Sequence, residues 1–412
     1  MTLETLVVVL AGGEGTRLKP LTEHRAKPAV PIGGKYRLID IPLSNAFNSK
    51  LTNILILTQG ADDSLIKHVS NIWTSDPRRR SFVEVRSPQI LGETYKGDAD
   101  AVRQVLRNIK FHNPKNVLIV PGDHLLKMDY HKFVDFMEQK NGDFAISIIS
   151  QPMEQAKQLG SIKIDDSSRI IEFKEKDRDT PFRAKKKDEF YASMGIYAAK
   201  TEKLIEALQK EGALFGKHII PSVLGSMNVV GYDYTENNYI PEIPRINKDG
   251  IMIRGDRTKS ADSTYWRDVG TISEYFEANM DLVSITPRFS IYNTEWRFFT
   301  DNTYFGPGKQ VAGPETALIS EGSTLTSVGG RDIVISPNVF IEHSDLNQVI
   351  VFNDSDIHKC RIKRTIVDKN AILVGMEIGY NASRDERNGI FIDPDSGIRV
   401  VRKFYNSLAK KD

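Results

Sequence analysis

The sequence predicts an α/β chain: a doubly wound, mostly parallel sheet followed by a parallel β-helix. Three patterns carry that prediction. Short β-branched apolar runs at residues 6–10, 54–57, 117–120 and 144–149 are bounded by turn residues, as strands buried on both faces are. Between them Val102, Val105, Leu106 and Ile109 recur at i, i+3, i+4 and i+7, one face of a helix starting near Asp98. Such alternation implies a sheet with ligands beyond the carboxyl ends of its strands. Past Pro287 the texture changes, and single apolar residues recur at Ile335, Ile341, Leu346, Val351, Ile357, Ile362, Val367, Ile372 and Ile378. Steps of 5 or 6 suit neither a helix nor an alternating strand. They suit a β-helix, whose short faces each send one side chain into a central column. A β-rich domain with accidental spacing is the other reading.

A chain of 412 residues exceeds one compact core and divides comfortably in two. The expected units are 1–285 and 303–412, joined by a linker over 286–302. Lys+Arg of 56 against Asp+Glu of 54 leaves a formal charge of +2, no footprint for nucleic acid or a membrane surface. Any phosphate binding must therefore be local. The one cysteine, Cys360, excludes an intrachain disulfide and fits a reducing compartment. The first apolar run is too short for a signal core or a membrane span and follows no basic leader, so a cytoplasmic location is expected. Residues 233–262 are polar and read as a long excursion, with a hairpin at 250–254 and no assigned role. A last helix over 271–283 opens on Thr271-x-x-Glu274, a capping box.

The sharpest chemical signal directly follows the first strand: Leu10-Ala11-Gly12-Gly13-Glu14-Gly15-Thr16-Arg17-Leu18. Three glycines in four positions let the backbone turn tightly and aim N–H groups at an anion. Arg17 adds a planar cationic fork suited to phosphate oxygens. A dinucleotide fingerprint would need glycine where Leu18 stands, and a P-loop would need a terminal Gly-Lys-Ser/Thr, so both are excluded. A purely structural turn remains an alternative for the glycines alone. Arg25, Lys27, Lys35 and Arg37, threaded between glycines and prolines, favour a triphosphate clamp over a solvated surface.

Asp123, in Pro121-Gly122-Asp123-His124, sits at the carboxyl end of a buried strand, where a carboxylate can hold Mg²⁺. Asp268, in Trp266-Arg267-Asp268-Val269-Gly270, offers a second acid, although alone it reads as an acid favoured near a helix start. His124 reads as a packing residue rather than a ligand. Residues 174–179 read, by themselves, as a solvated charge run.

Taken together, Gly12-Gly13-Glu14-Gly15-Thr16-Arg17-Leu18 with Lys27-Pro28 resembles the signature of sugar nucleotidyltransferases. Within them, the stretches beginning Arg25-Ala26-Lys27-Pro28, Tyr36-Arg37-Leu38, Leu43-Ser44-Asn45, Gly122-Asp123-His124, Ala192-Ser193-Met194-Gly195 and Tyr265-Trp266-Arg267-Asp268 resemble the glucose-1-phosphate adenylyltransferases. The resemblance covers nearly all of the catalytic part, and that family's carboxyl-terminal domain is a left-handed parallel β-helix. It implies transfer of AMP from ATP to glucose 1-phosphate with release of pyrophosphate. It also implies Mg²⁺ dependence, a homotetramer and small phosphorylated effectors bound between the domains. By position it implies catalytic Arg17, Lys27 and Asp123, with Asp123 and Asp268 on the metal. Leu10, Ala11, Gly12, Gly13, Gly15, Thr16, Gln89, Tyr95, Gly97 and Gly122 would face the nucleotide. Glu175, Lys176, Ser193, Gly195 and Tyr197 would face the sugar phosphate, and His24 and Arg25 an allosteric anion.

Four positions depart from the family pattern. His24 stands where lysine is common, Thr94 replaces an aromatic, Asp98 stands where threonine is usual, and His218 replaces an acid. They leave fine selectivity and the effector open. Uridylyl or thymidylyl transfer would use the same sheet and metal pair. A silent regulatory subunit would tend to lose Arg17, Lys27, Asp123 or Asp268, and all four are present.

Overall fold

The computed structural model describes residues 3–13, 15–59, 63–73, 81–88, 94–157, 159–175, 182, 184, 188–301 and 305–409. The first strand, Leu3–Ala11, is central: it pairs in parallel with Asn53–Thr58 on one side and Pro114–Pro121 on the other. Its side chains alternate between two cores, as a doubly covered strand requires. Val7, Val9 and Ala11 join one core and Leu6 and Val8 the other.

The sheet is mixed rather than uniformly parallel. Across it run Ile170–Lys174, Ser161–Ile164, Glu189–Lys200, Pro114–Pro121, Leu3–Ala11, Asn53–Thr58 and Phe82–Arg86. Glu189–Lys200 is antiparallel to each of its neighbours, including Phe144–Pro152, which in turn pairs in parallel with Val229–Asp233. Its pairing with Phe144–Pro152 shifts register between Ser193 and Tyr197. Gly195, at φ +67, stands inside that irregularity, where a bulge re-aims the neighbouring side chains.

Three local expectations need correction. The single helix from Asp98 is two, Asp98–Gln104 and Leu106–His112, broken at Val105 (φ −102, ψ 11). Apolar periodicity reports a buried face and not the continuity of the backbone beneath it. The hairpin in the excursion spans Arg245–Lys248 and Ile251–Arg254, turning at Asp249-Gly250, which both have positive φ. The excursion is also tied down: Lys127, fully buried, forms a 2.6 Å ion pair with Asp262. The helix Ile272–Val283 starts as expected, with the Thr271 hydroxyl accepting from Glu274 N at 3.2 Å. No described helix is long and apolar enough to cross a membrane.

The carboxyl-terminal part is a parallel β-helix whose coil is 16 residues long. Ile335 pairs with Val351 and Val351 with Val367, while Leu346 pairs with Ile362 and Ile362 with Ile378. Corner residues with positive φ recur at the same step: Asp332, Gln348 and Arg364 at one corner, Asn338, Asp354 and Asn370 at another. The predicted apolar column holds except at Ile372. Ile357 pairs with Leu373, which is fully buried, and Ile372 lies beside the column. Segment 286–301 is a packed strap, with Phe289, Ile291, Trp296 and Phe298 buried. The two halves share one core, in which Tyr275 and Phe276 of the last catalytic helix meet Val334, Ile350, Phe352 and Ile366.

Candidate active site

The glycine loop turns just past the carboxyl end of the first strand. Gly15 has φ +61, and a Cβ there would lie 2.9 Å from Thr22 Cγ2, so conformation and space both demand glycine. The Thr22 hydroxyl donates to Gly15 O at 2.7 Å and closes the bend. Thr16 and Arg17 are exposed on the following turn. The Arg17 guanidinium reaches Gly270, where an added Cβ would be 3.3 Å from Nη2.

Opposite the loop the two predicted acids converge. Gly122 N donates to Leu10 O at 2.9 Å, and this close approach brings Asp123 alongside the end of the first strand. Trp266–Asp268 is a short strand antiparallel to His124–Leu126, with Asp268 paired to His124. That pairing carries an acid 145 positions downstream of Asp123 (268 against 123) to the same spot. Lys27 Nζ, nearly buried, lies 2.5 Å from Asp123 Oδ2 and 3.8 Å from Asp268 Oδ1. Burial pushes the Asp123 carboxyl up, but the Lys27 ammonium, through its charge and its hydrogen bond, works against it, and the group is held below the ordinary carboxylate value.

Asp123, His124 and Asp268 each place one donor atom within 4.8 Å of the others. Two carboxylates around a cation form the oxygen-donor set that Mg²⁺ takes, with other positions left to phosphate and water. The imidazole does not fit that set as it stands. Trp266 Nε1 lies 3.2 Å from His124 Nδ1, and an indole N–H can only donate. The ring's lone pair is therefore engaged at Nδ1, and Nε2 turns its N–H toward the acids, 3.8 Å from Asp268 and 4.0 Å from Asp123.

A cavity of about 220 Å³ opens beside the glycine loop, lined among others by Leu10, Gly12, Gly13, Tyr95, Gly97 and Asp98. Gln59 also lines it and was not foreseen. Its amide donates to Tyr95 O at 3.1 Å and accepts from Tyr95 N at 3.2 Å, fixing the backbone of that wall. Its position one residue past the strand Asn53–Thr58, beside the first strand's carboxyl end, was the available signal. Ala11 is buried in the sheet and Gly122 lies at the acid pair, so neither lines this cavity.

On the far side Ser193, Gly195 and Tyr197 sit together at the bulge. Tyr197 is buried with its ring centroid 5.2 Å from that of Phe215, and burial drives its hydroxyl pKa far up. Glu175 lies against Gly216, where an added Cβ would be 2.6 Å from its Oε2. Gln89 and Lys176 lie outside the described residues. His24 is exposed, whereas Arg25 is buried and engaged: its guanidinium grips both carboxylate oxygens of Asp368, at 2.8 and 3.2 Å. The structure thus brings Lys27, Asp123 and Asp268 together, sets Tyr95 on the cavity beside the glycine loop, gathers Ser193, Gly195 and Tyr197 at the bulge, and sets Arg25 at the domain interface.

Comparison with known proteins agrees with this arrangement. Residues 6–284 match the family described as nucleotidyl transferase, and residues 305–401 match a GlmU-like, C-terminal hexapeptide family. A glucose-1-phosphate adenylyltransferase of Rhodopirellula baltica is 36% identical, over 98% of this chain and 91% of its own length. One from Bifidobacterium longum is 37% identical over 97% of both chains. One from Geobacter metallireducens is 34% identical over 96% of this chain and 97% of its own. A paired acid site beside a glycine loop, similarity over almost the whole length and both domain matches place the chain in the nucleotidyl transferase family, among the glucose-1-phosphate adenylyltransferases.

Proposed function

We propose that the enzyme transfers AMP from ATP to glucose 1-phosphate, releasing pyrophosphate and forming ADP-glucose. The observation that carries this reading is the meeting of Asp123 and Asp268 on Lys27 beside the glycine loop. A phosphate oxygen of the sugar phosphate attacks the α-phosphorus in line while pyrophosphate leaves, with no covalent enzyme intermediate. The chain's contribution is placement and charge. Backbone N–H groups of Gly12, Gly13 and Gly15 hold the triphosphate, Arg17 and Lys27 neutralise charge as it grows on the leaving oxygens, and Tyr95 and Gln59 shape the wall of the base cavity. Glu175, Ser193 and Tyr197 orient the glucosyl ring, with Lys176 on its phosphate. Bound Mg²⁺, held by Asp123 and Asp268, would polarise phosphoryl oxygens and offset their charge. Pyrophosphate release measured with each nucleoside triphosphate in turn, with Mg²⁺ and with chelator, tests the proposal. Equal rates with UTP or dTTP would replace it with the other transfer, and no release with any would favour the regulatory-subunit reading.

Regulation by phosphorylated metabolites fits a second cavity, about 440 Å³, between the catalytic part and the β-helix. Lys35, Arg37, His68 and Lys369 line it. Burial, then Arg37 and Arg25, lower the Lys369 ammonium to about 8, a cost that a bound anion would relieve. Arg25, already spent on Asp368, anchors this interface, and the cavity beside it takes the effector. Activity across a panel of sugar phosphates, AMP and phosphate tests the regulatory site. A homotetramer in the cytoplasm completes the reading, and light scattering on the purified chain checks the assembly.

A further inference from the structure

Asp98 departs from the family pattern, and the structure places it where the departure matters. It lines the base cavity together with Gly12, Gln59 and Tyr95. One carboxylate oxygen, Oδ1, accepts from Ala99 N and from Phe215 N, both at 2.8 Å. Those bonds tie the wall of the nucleotide cavity to the 213–216 loop, which also receives Ala99 N on Ala213 O at 2.9 Å. The tie is close: a Cβ on Gly97 would lie 2.4 Å from Ala213 O.

That loop builds the sugar side. Phe215 packs tilted against Tyr197, and Gly216 lets Glu175 approach. Asp98 therefore stands at the seam of the two pockets, near enough to Glu175 that the second carboxylate adds to the effect of burial in raising its pKa. Its other oxygen, Oδ2, makes no hydrogen bond among the described residues. Asp98 is only half-buried and its Oδ2 is not shut off from solvent, so the oxygen is an accessible acceptor on the cavity wall, and the groups that enter this cleft are rich in hydroxyl donors.

We propose that Asp98 is a specificity-determining residue whose Oδ2 accepts a hydrogen bond from a sugar hydroxyl of the substrates. This inference rests on the adenylyl-transfer reading. A hydroxyl donor can come from the glucosyl ring or from the ribose, and the chemistry at Asp98 is the same for both. An acceptor-only pair, Asp98 with Glu175, favours intact hydroxyls over deoxy positions.

The test is a substitution crossed with substrate analogues. In D98N the amide oxygen keeps both backbone N–H bonds, and only the free acceptor becomes a donor. Wild type and D98N are compared in kcat and KM with glucose 1-phosphate and its 2-, 3-, 4- and 6-deoxy forms, and with ATP and its 2′- and 3′-deoxy forms. With natural substrates D98N should lose roughly 3- to 100-fold in kcat/KM, the range for one lost hydrogen bond. With the one analogue lacking the partner hydroxyl the two enzymes should agree within about 2-fold, and that analogue names the source. A penalty equal across all analogues, or no penalty, overturns the proposal and leaves Asp98 as a loop tie. If D98N fails to fold, D98S carries the same comparison, its hydroxyl keeping the bond to Ala99 N. Wild type inactive with ATP and glucose 1-phosphate would instead overturn the reading on which this rests.

Discussion

Lys27 Nζ bridges Asp123 and Asp268, at 2.5 and 3.8 Å, and so occupies the electrostatic position of a cation between two carboxylates. The proposed mechanism calls for the same ammonium on the triphosphate during transfer. On that proposal lysine and metal would compete for the acids before substrate arrives, and substrate would resolve the competition by drawing the lysine away.

Removing the lysine should separate those roles. Lys27→Met is expected to bind Mn²⁺ more tightly than wild type in the absence of nucleotide, read by electron paramagnetic resonance. Its turnover should fall by ~10²–10³, the loss typical of one preorganised charge. Weaker metal binding in the variant would contradict the competition.

Asp123→Ala should abolish turnover while the chain stays folded. The Tm and the far-ultraviolet circular dichroism check the fold, and a variant retaining more than half its activity would remove Asp123 from the mechanism.

The Arg25–Asp368 pair, with both side chains almost completely buried, tests the domain interface. Asp368→Ala leaves a buried guanidinium without its partner and should cost about 3–5 kcal/mol in denaturant unfolding. Replacing both residues with apolar ones of similar size should recover most of that loss.

Effector binding should depend on pH through Lys369. Its folded-state pKa, about 8, lies below the ordinary 10.5, so between those values the unfolded chain holds more protons. Stability from this group therefore rises as pH climbs from 8 to 10.5. Anion binding, which needs the ammonium, weakens over the same climb. Calorimetry with a phosphorylated effector at pH 7 and pH 9 checks the sign, and Lys369→Met should flatten the dependence.

One prediction sets the sequence pattern against the structure directly. Leu373→Ala should cost about 2–5 kcal/mol, as a fully buried leucine does, whereas Ile372→Ala should cost about 1 kcal/mol or less. The spacing of apolar residues marks Ile372, but the coil length of 16 puts Leu373 in the column. A five-residue step from Val367 fits the local rhythm and misses the lateral pairing, because register is set by the strand one coil away.

The same distinction runs through the chain. The strands at Leu3–Ala11 and Pro114–Pro121 and the glycine loop were legible because burial and turn chemistry are local. Asp123 and Asp268 were legible as acids at element ends, but their convergence depends on pairing His124–Leu126 with Trp266–Asp268. Gln59 carries no motif of its own and fixes the backbone of Tyr95, 36 residues on. Arg25 looked like a free cation because Asp368, 343 positions away, leaves no trace beside it in the sequence.

Finally, Tyr275 and Phe276 share their apolar surroundings with Val334, Ile350 and Ile366, so the boundary between the halves is itself interior. A catalytic fragment ending before residue 305 would expose that greasy face to water and should be recovered insoluble or bound to chaperones. A metabolite lodged beside this seam would not be expected to act by swinging the halves apart. It would have to act by small shifts of well-packed side chains, and Arg25, which grips Asp368 at this seam, stands two residues from Lys27.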